Sequence, residues 1–235
     1  MSLLIEESPP SKNWKPEDFE DTVARMFQAL GEWTPKFKRG ENFSMVISGA
    51  RGCGKSTIVK DMLKKLRKQY DNIIVFTLTK DEFYSDIEDI IIFNSFDEAT
   101  LAAIIQTAEE DFQGEEPRYT LIIFDDCIPK KIRWSDSVQE LFTRGRHFCS
   151  VIYSIQDIKL VTPCHRDNCT YMIIGKTNSS SRRKEIADEY FSACEQPLIT
   201  PSQYPPLMWQ TYIVNICKDH RFLVIDKEKV YILKV

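Results

Sequence analysis

Several features that would classify this chain at once are absent. Apolar runs such as 121–124 and 90–93 stop far short of the roughly 20 residues needed to cross a bilayer. The opening MSLLIEESPPSKNWK has a short apolar stretch followed by Glu6 and Glu7, and does not read as a secretory signal. An excess of positive charge is also missing: 31 Lys and Arg stand against 35 Asp and Glu, net −4. That excludes a protein coating nucleic acid over its whole surface but leaves room for a local basic channel. The seven cysteines are odd in number and scattered, so a disulfide framework is not expected and a reducing compartment fits better. Their one tight grouping, Cys164-His165-x-x-x-Cys169, lacks the four ligands at firmer spacing that zinc wants, and reads as two buried or loop thiols. No internal repeat or low-complexity segment is visible. Glycine is scarce, eight in 235 residues, yet three of the eight fall at 49, 52 and 54.

The composition, 43% apolar and 28% charged, belongs to a soluble globular chain of one domain with a short appendage. We expect a lead-in and helix over 1–40 and one domain over 41–235. Pro16 opens a helical pattern that carries Phe19, Val23, Met26, Phe27 and Leu30 on one face and closes at Gly31. Strands are expected over 43–48, 72–77, 90–93, 119–124, 150–155 and 170–174. Helices are expected over 56–70, 97–112, 135–148 and 181–193. The first of these turns Ile58, Val59, Met62, Leu63 and Leu66 inward and leaves Lys60, Lys64, Lys65, Arg67 and Lys68 on its wet face. Segment 209–217 fits helix or strand. Strands over 221–226 and 230–235 read as a closing β-hairpin. Apolar strands alternating with helices give an α/β fold, a mostly parallel sheet flanked by helices.

The three clustered glycines belong to Gly49-Ala50-Arg51-Gly52-Cys53-Gly54-Lys55-Ser56, which matches G-x-x-x-x-G-K-[ST] between a predicted strand and a predicted helix. Glycines let consecutive backbone N–H groups turn inward around an anion, and the helix aims the positive end of its dipole at it. Lys55 suits the β- and γ-phosphates of a nucleotide such as ATP, and the Ser56 hydroxyl suits Mg²⁺. Thr57 is the next helix residue, within reach of the α-phosphate.

Magnesium also needs a carboxylate at the end of a neighbouring strand. Leu121-Ile122-Ile123-Phe124-Asp125-Asp126 supplies an apolar strand ending in two acids. Asp125 suits the metal shell, and Asp126 suits orienting or deprotonating an attacking water. Gln156, at the tip of the next strand, could sense the γ-phosphate. Before that strand stand Arg144 and Arg146, which could cap a helix or reach a neighbouring subunit's phosphate as an arginine finger, with Arg146 favoured. His147 reads as packing.

GARGCGKST, LIIFDD and ELFTRGRHFCSVIYSIQ together resemble the genome-packaging ATPases of large DNA viruses, the poxvirus-type branch of the FtsK–HerA superfamily of P-loop ATPases. The resemblance runs over about 43–175 and is firmest over 121–156. It implies a RecA-like P-loop NTPase core with another strand between the phosphate-loop strand and the Asp-Asp strand. It also implies a homo-oligomeric ring, hexamer or pentamer, that hydrolyses ATP with Mg²⁺ at its interfaces and pumps double-stranded DNA into a preformed capsid. Viral capsid or membrane vertex proteins are the implied partners, and the virion and host-cell cytoplasm the implied location. Asp126 stands where many relatives outside the viral branch carry Glu.

DNA contact must be local on an acidic chain. Lys130, Lys131 and Arg133, after the Asp-Asp strand, could form a positive annulus when repeated around a pore, and Arg182, Arg183 and Lys184 are a second cluster. Two other functions stay open on the residues alone. A P-loop kinase of a nucleotide or small molecule would need an acceptor and a lid rich in arginine. A non-hydrolysing, nucleotide-gated capsid assembly protein would have no need of Asp125 and Asp126 together.

Overall fold

The structure, a computed structural model, describes residues 30–34, 36–78, 81–127, 134–186, 188–189, 213–214, 217, 220–226 and 229–235. All but residues 30 and 31 of the helix expected over 16–31, the basic residues Lys130, Lys131 and Arg133, most of the far half of the helix expected over 181–193 and most of 209–217 lie outside the described residues. The chain divides into two units. One is Pro35–Met172; the other draws its described residues from Met1–Thr34 and Ile173–Val235.

The first unit is built on five parallel strands: β1 (Ser44–Ser48), β2 (Asn72–Thr77), β3 (Ile91–Phe93), β4 (Thr120–Asp125) and β5 (Cys149–Ile155). Their order across the sheet is β3-β2-β4-β5-β1. A parallel sheet needs crossover connections, which α1 (Lys55–Leu66), α2 (Glu98–Gln113) and α3 (Asp136–Thr143) supply. Covered on both faces, its central strands are unbroken apolar runs. Leu121, Ile122, Ile123 and Phe124 of β4 are wholly buried. Phe124 stacks on Phe76 of β2 at 5.2 Å and meets Tyr153 of β5 edge-on at 6.2 Å. Cutting Phe124 back to alanine should cost about 3–5 kcal/mol.

Local chemistry sets the helix ends. Asp97 caps α2 by accepting from Thr100 N–H, and Ser135 caps α3 by accepting from Val138 N–H. The helix expected to run to 148 stops at Thr143 and continues as a 3₁₀ turn over Gly145–His147. At Gly145 a Cβ would lie 3.3 Å from Leu141 and 3.4 Å from the Cys149 sulfur, so glycine allows this close return into β5.

On α1 the apolar face is buried as expected and Lys65 is exposed; the helix expected to run to 70 passes into a 3₁₀ turn over Arg67–Gln69, where Lys68 is exposed. The rest of the polar face is engaged. Lys60 donates to the Phe83 carbonyl at 2.7 Å and pairs with Asp86 at 2.6 Å; Lys64 pairs with Asp86 at 2.9 Å. Arg67 donates to the Glu88 carbonyl and pairs with Asp89. The segment after β2 carries the acids back over the helix, which no periodicity within α1 could reveal.

A short helix, α4 (Pro163–Asn168), was not expected. Thr162 caps it and Pro163 starts it. It gives the Cys-His-Cys grouping a structural place. His165 is fully buried, 4.5 Å from the Phe142 ring, and its Nδ1 accepts from Thr162 N–H; the Cys169 thiol donates to the Arg166 carbonyl.

Strand β6 (Tyr171–Ile174) begins in the first unit and ends in the second. The second unit holds α5 (Ser180–Ile186) and the expected hairpin, β7 (Arg221–Asp226) antiparallel to β8 (Lys229–Lys234). Residues 31–33 run beside β8, with Trp33 N–H donating to the Ile232 carbonyl at 2.8 Å.

Candidate active site

Strand register brings the glycine-rich loop, the two aspartates and Gln156 to one edge, while Arg144 and Arg146 precede β5 at its other end. Ser48 of β1 is level with Ile155 of β5, and Ser154 of β5 is level with Asp125 of β4. The glycine-rich loop leaves β1, the Asp125-Asp126 pair ends β4, and Gln156 follows β5, all at the carboxyl ends of adjacent parallel strands. Open α/β sheets bind ligands at that edge. Strand β5 lies between β1 and β4, as the resemblance implies.

The loop is shaped for an anion. Gly52 and Gly54 have φ of 76° and 105°, a region that a Cβ would strain. Gly54 offers α1 no side-chain cap, and the first turn of α1 holds no acid. Its leading N–H groups and positive dipole end are thus left for a negatively charged ligand. Cys53 N–H donates to the Ala50 carbonyl, and burial raises the Cys53 thiol, keeping it neutral. Arg51 and Thr57 are exposed.

Lys55 is only 4% exposed. Its ammonium donates to the Gly49 carbonyl at 3.0 Å and pairs with Asp126 at 3.4 Å. The Ser56 hydroxyl donates to Asp125 Oδ1 at 3.1 Å. Asp125 is wholly buried, and Tyr84 donates to its Oδ2 at 2.7 Å. Burial, and then the Asp125 charge, push the Tyr84 phenol well above its ordinary range, so it stays a donor. Burial first, then Asp125, likewise pushes the Cys127 thiol up to about 12. Ser56 and Asp125 thus present hard oxygen donors, the kind magnesium takes alongside substrate phosphates.

Asp126 takes a left-handed conformation, φ 52°, which a short polar side chain tolerates. Its N–H still donates to the Ser154 carbonyl, while its Oδ2 accepts from Gln156 Nε2 at 3.3 Å and faces Lys55. Asp126 Oδ1 is buried with no hydrogen-bond partner among the described residues, an acceptor suited to a water hydrogen.

The two arginines differ. Arg144 is anchored in its own chain: its guanidinium pairs with Glu109 at 2.6 Å and with Glu140, and lies over the Phe148 ring. Arg146 is exposed and has no hydrogen-bond or ion-pair partner among the described residues. In α5, Arg183 donates to the Thr177 carbonyl and Arg182 pairs with Glu185 at 3.8 Å, so two of the three residues in that basic cluster are engaged locally. Tyr84 is the site residue that sequence reasoning missed. It sits in a polar connection 41 residues before Asp125, and no motif marks it.

A family model described as poxvirus A32 protein matches residues 35–187. No curated protein matches the chain. Among solved structures, the DNA-packaging ATPase B204 of Sulfolobus Turreted Icosahedral Virus is similar at 15% identity and a TM-score of 0.56, over 81% of this chain and 96% of that one. The genome packaging NTPase B204 of Sulfolobus turreted icosahedral virus 2, in complex with AMPPCP, is similar at 15% identity and a TM-score of 0.58, over 82% and 97%. The pCW3 conjugation coupling protein TcpA, with ATPγS, is similar at 14% identity and a TM-score of 0.59, over 86% and 63%. At such identities these likenesses establish the fold: a P-loop core with a mostly parallel sheet.

Proposed function

Because the chain belongs to the poxvirus A32 protein family, we propose that it is an ATPase that drives double-stranded DNA into a preformed viral capsid. The observation that carries this reading is the meeting of Lys55, Ser56, Asp125, Asp126 and Gln156 at the carboxyl ends of three adjacent parallel strands. The packaging NTPases of similar fold, one of them holding an ATP analogue, support it.

Each residue has a role in this reading. The loop and α1 bind the phosphates, and Lys55 leaves the Gly49 carbonyl and Asp126 to neutralise the β- and γ-phosphates. Residues Gly49, Ala50, Arg51, Gly52, Cys53, Gly54 and Thr57 line the rest of the nucleotide path. Ser56 and Asp125 would hold Mg²⁺, which supplies charge neutralisation on the phosphate oxygens. Asp126, freed from Lys55, orients the attacking water and accepts its proton, and Gln156 fixes the Asp126 carboxylate. Arg146 reaches across to a neighbouring copy's γ-phosphate in a homo-oligomeric ring. Lys130, Lys131 and Arg133 supply basic charge for the DNA, and the partners are capsid or membrane vertex proteins at the site of virus assembly.

The test is ATP hydrolysis by the full chain with and without long duplex DNA, paired with ATP-dependent displacement of a third strand from that duplex. Duplex DNA should raise the rate and the third strand should be stripped. Hydrolysis without any effect of DNA would remove translocation from the reading. ADP formed only when a small-molecule acceptor is added would favour a kinase.

A further inference from the structure

The path from β2 to β3 carries an inference about the site. We propose that Tyr84 is a positioning residue, fixing the Asp125 carboxylate in the orientation that binds magnesium, and that α1 itself holds Tyr84 in place. The proposal rests on the reading of Ser56 and Asp125 as the magnesium shell.

Asp125 is a wholly buried carboxylate, and such a charge needs donors. It has two in the described structure, one on each oxygen: Ser56 at 3.1 Å and Tyr84 at 2.7 Å. A Ser56 hydroxyl that gives an oxygen lone pair to a metal keeps its proton for Asp125 Oδ1, but that bond fixes only one carboxylate oxygen. Tyr84 fixes the other, and the two donors together keep the carboxylate plane from rotating. Outer partners of this kind set the orientation of metal-binding groups.

Tyr84 closes a 3₁₀ turn over Asp81–Tyr84, and its ring is fully buried, edge-on to Phe83. Among the described residues, α1 ties down that turn and the stretch after it through Lys60, with Lys64 sharing Asp86. Lys60 donates to the Phe83 carbonyl at 2.7 Å, lies 4.9 Å from the centre of the Phe83 ring, and pairs with Asp86 at 2.6 Å. Ser56 and Lys60 are four residues apart, so they share one face of α1. The helix that offers the metal-side hydroxyl therefore also anchors the turn that steadies the metal-side carboxylate. A shift of α1 on phosphate binding moves both.

The test is binding of a fluorescent non-hydrolysable ATP analogue to the full chain, first in EDTA and then titrated with Mg²⁺, for wild type, Tyr84→Phe, Lys60→Ala and Asp125→Asn. Tyr84→Phe keeps the buried ring and removes only the hydroxyl. It should leave affinity in EDTA unchanged and raise the Mg²⁺ concentration for half-maximal gain roughly ten-fold. Lys60→Ala should shift the same midpoint in the same direction by a smaller factor. In hydrolysis assays saturating Mg²⁺ should restore most of the Tyr84→Phe rate, a recovery that general damage to the fold would not show. An unmoved Mg²⁺ midpoint in Tyr84→Phe, with Asp125→Asn shifted, overturns the proposal and spares the site reading. Equal loss of affinity in EDTA and in Mg²⁺ also overturns it. If neither wild type nor Asp125→Asn responds to Mg²⁺, the proposal falls together with the reading beneath it. Should Tyr84→Phe fail to fold, Lys60→Ala decides, and an unmoved midpoint there overturns the proposal.

Discussion

The charged groups of the candidate site occupy one another. Lys55, almost wholly buried, is satisfied by the Gly49 carbonyl and by Asp126; Asp126 in turn is steadied by Gln156. In the proposed function, a γ-phosphate that takes Lys55 would release Asp126 to act on water. The two neighbouring acids should therefore separate on mutation. Asp126→Asn keeps the shape and loses the base, so equilibrium binding should show ATP retained while turnover falls at least about 100-fold. Asp125→Asn should instead weaken the Mg²⁺-dependent part of binding. Normal hydrolysis by both variants would remove the β4 end from the site. Arg144 shows what residue type alone leaves out. Its ties to Glu109 and Glu140 lie 35 and 4 residues away, and only the first depends on the tertiary fold.

Among the elements, α4 makes a pH-dependent contribution. His165 is buried against Phe142 and Tyr153, with Nδ1 accepting from Thr162, and burial lowers it to about 4. The unfolded chain binds that proton near pH 6.5. Stability from this group is therefore full above about 6.5 and falls as pH drops towards 4. Between pH 7.5 and 5 the loss should be on the order of 2 kcal/mol. Urea midpoints at the two pH values, compared with His165→Phe, check it: the variant should lose that part of the pH dependence. The elements legible in the sequence were those written locally. The glycine-rich loop, the apolar run of β4 with its two acids and the 3.6-residue pattern of α1 each lie within a dozen residues. What could not be read depends on distant pairing. Tyr84 meets Asp125 across 41 residues, and Lys60 reaches Phe83 across 23. The early end of α3 follows from how tightly Gly145 returns to β5. α4 was missed although its Thr162-Pro163 start is a helix signal, because six residues show too little apolar period.

For the whole molecule, the proposed function gives Arg146, exposed and without a partner among the described residues, to the site of a second copy of the chain. Arginine fingers are worth about 10³–10⁵ in rate. Arg146→Ala should bind ATP normally and hydrolyse it at least about 1,000-fold more slowly. Mixed with Asp126→Asn under conditions where subunits exchange, it should regain turnover, since some interfaces then join an intact Asp126 to an intact Arg146. No rescue despite exchange would place Arg146 in its own subunit's site or outside catalysis altogether. The central claim, that this strand-end site hydrolyses ATP, is tested most directly by phosphate release from ATP, followed against protein concentration for wild type and for Lys55→Ala, each shown to be folded. The account predicts wild-type turnover per chain that rises with concentration and no release by Lys55→Ala. Phosphate release by folded Lys55→Ala at the wild-type rate would contradict it.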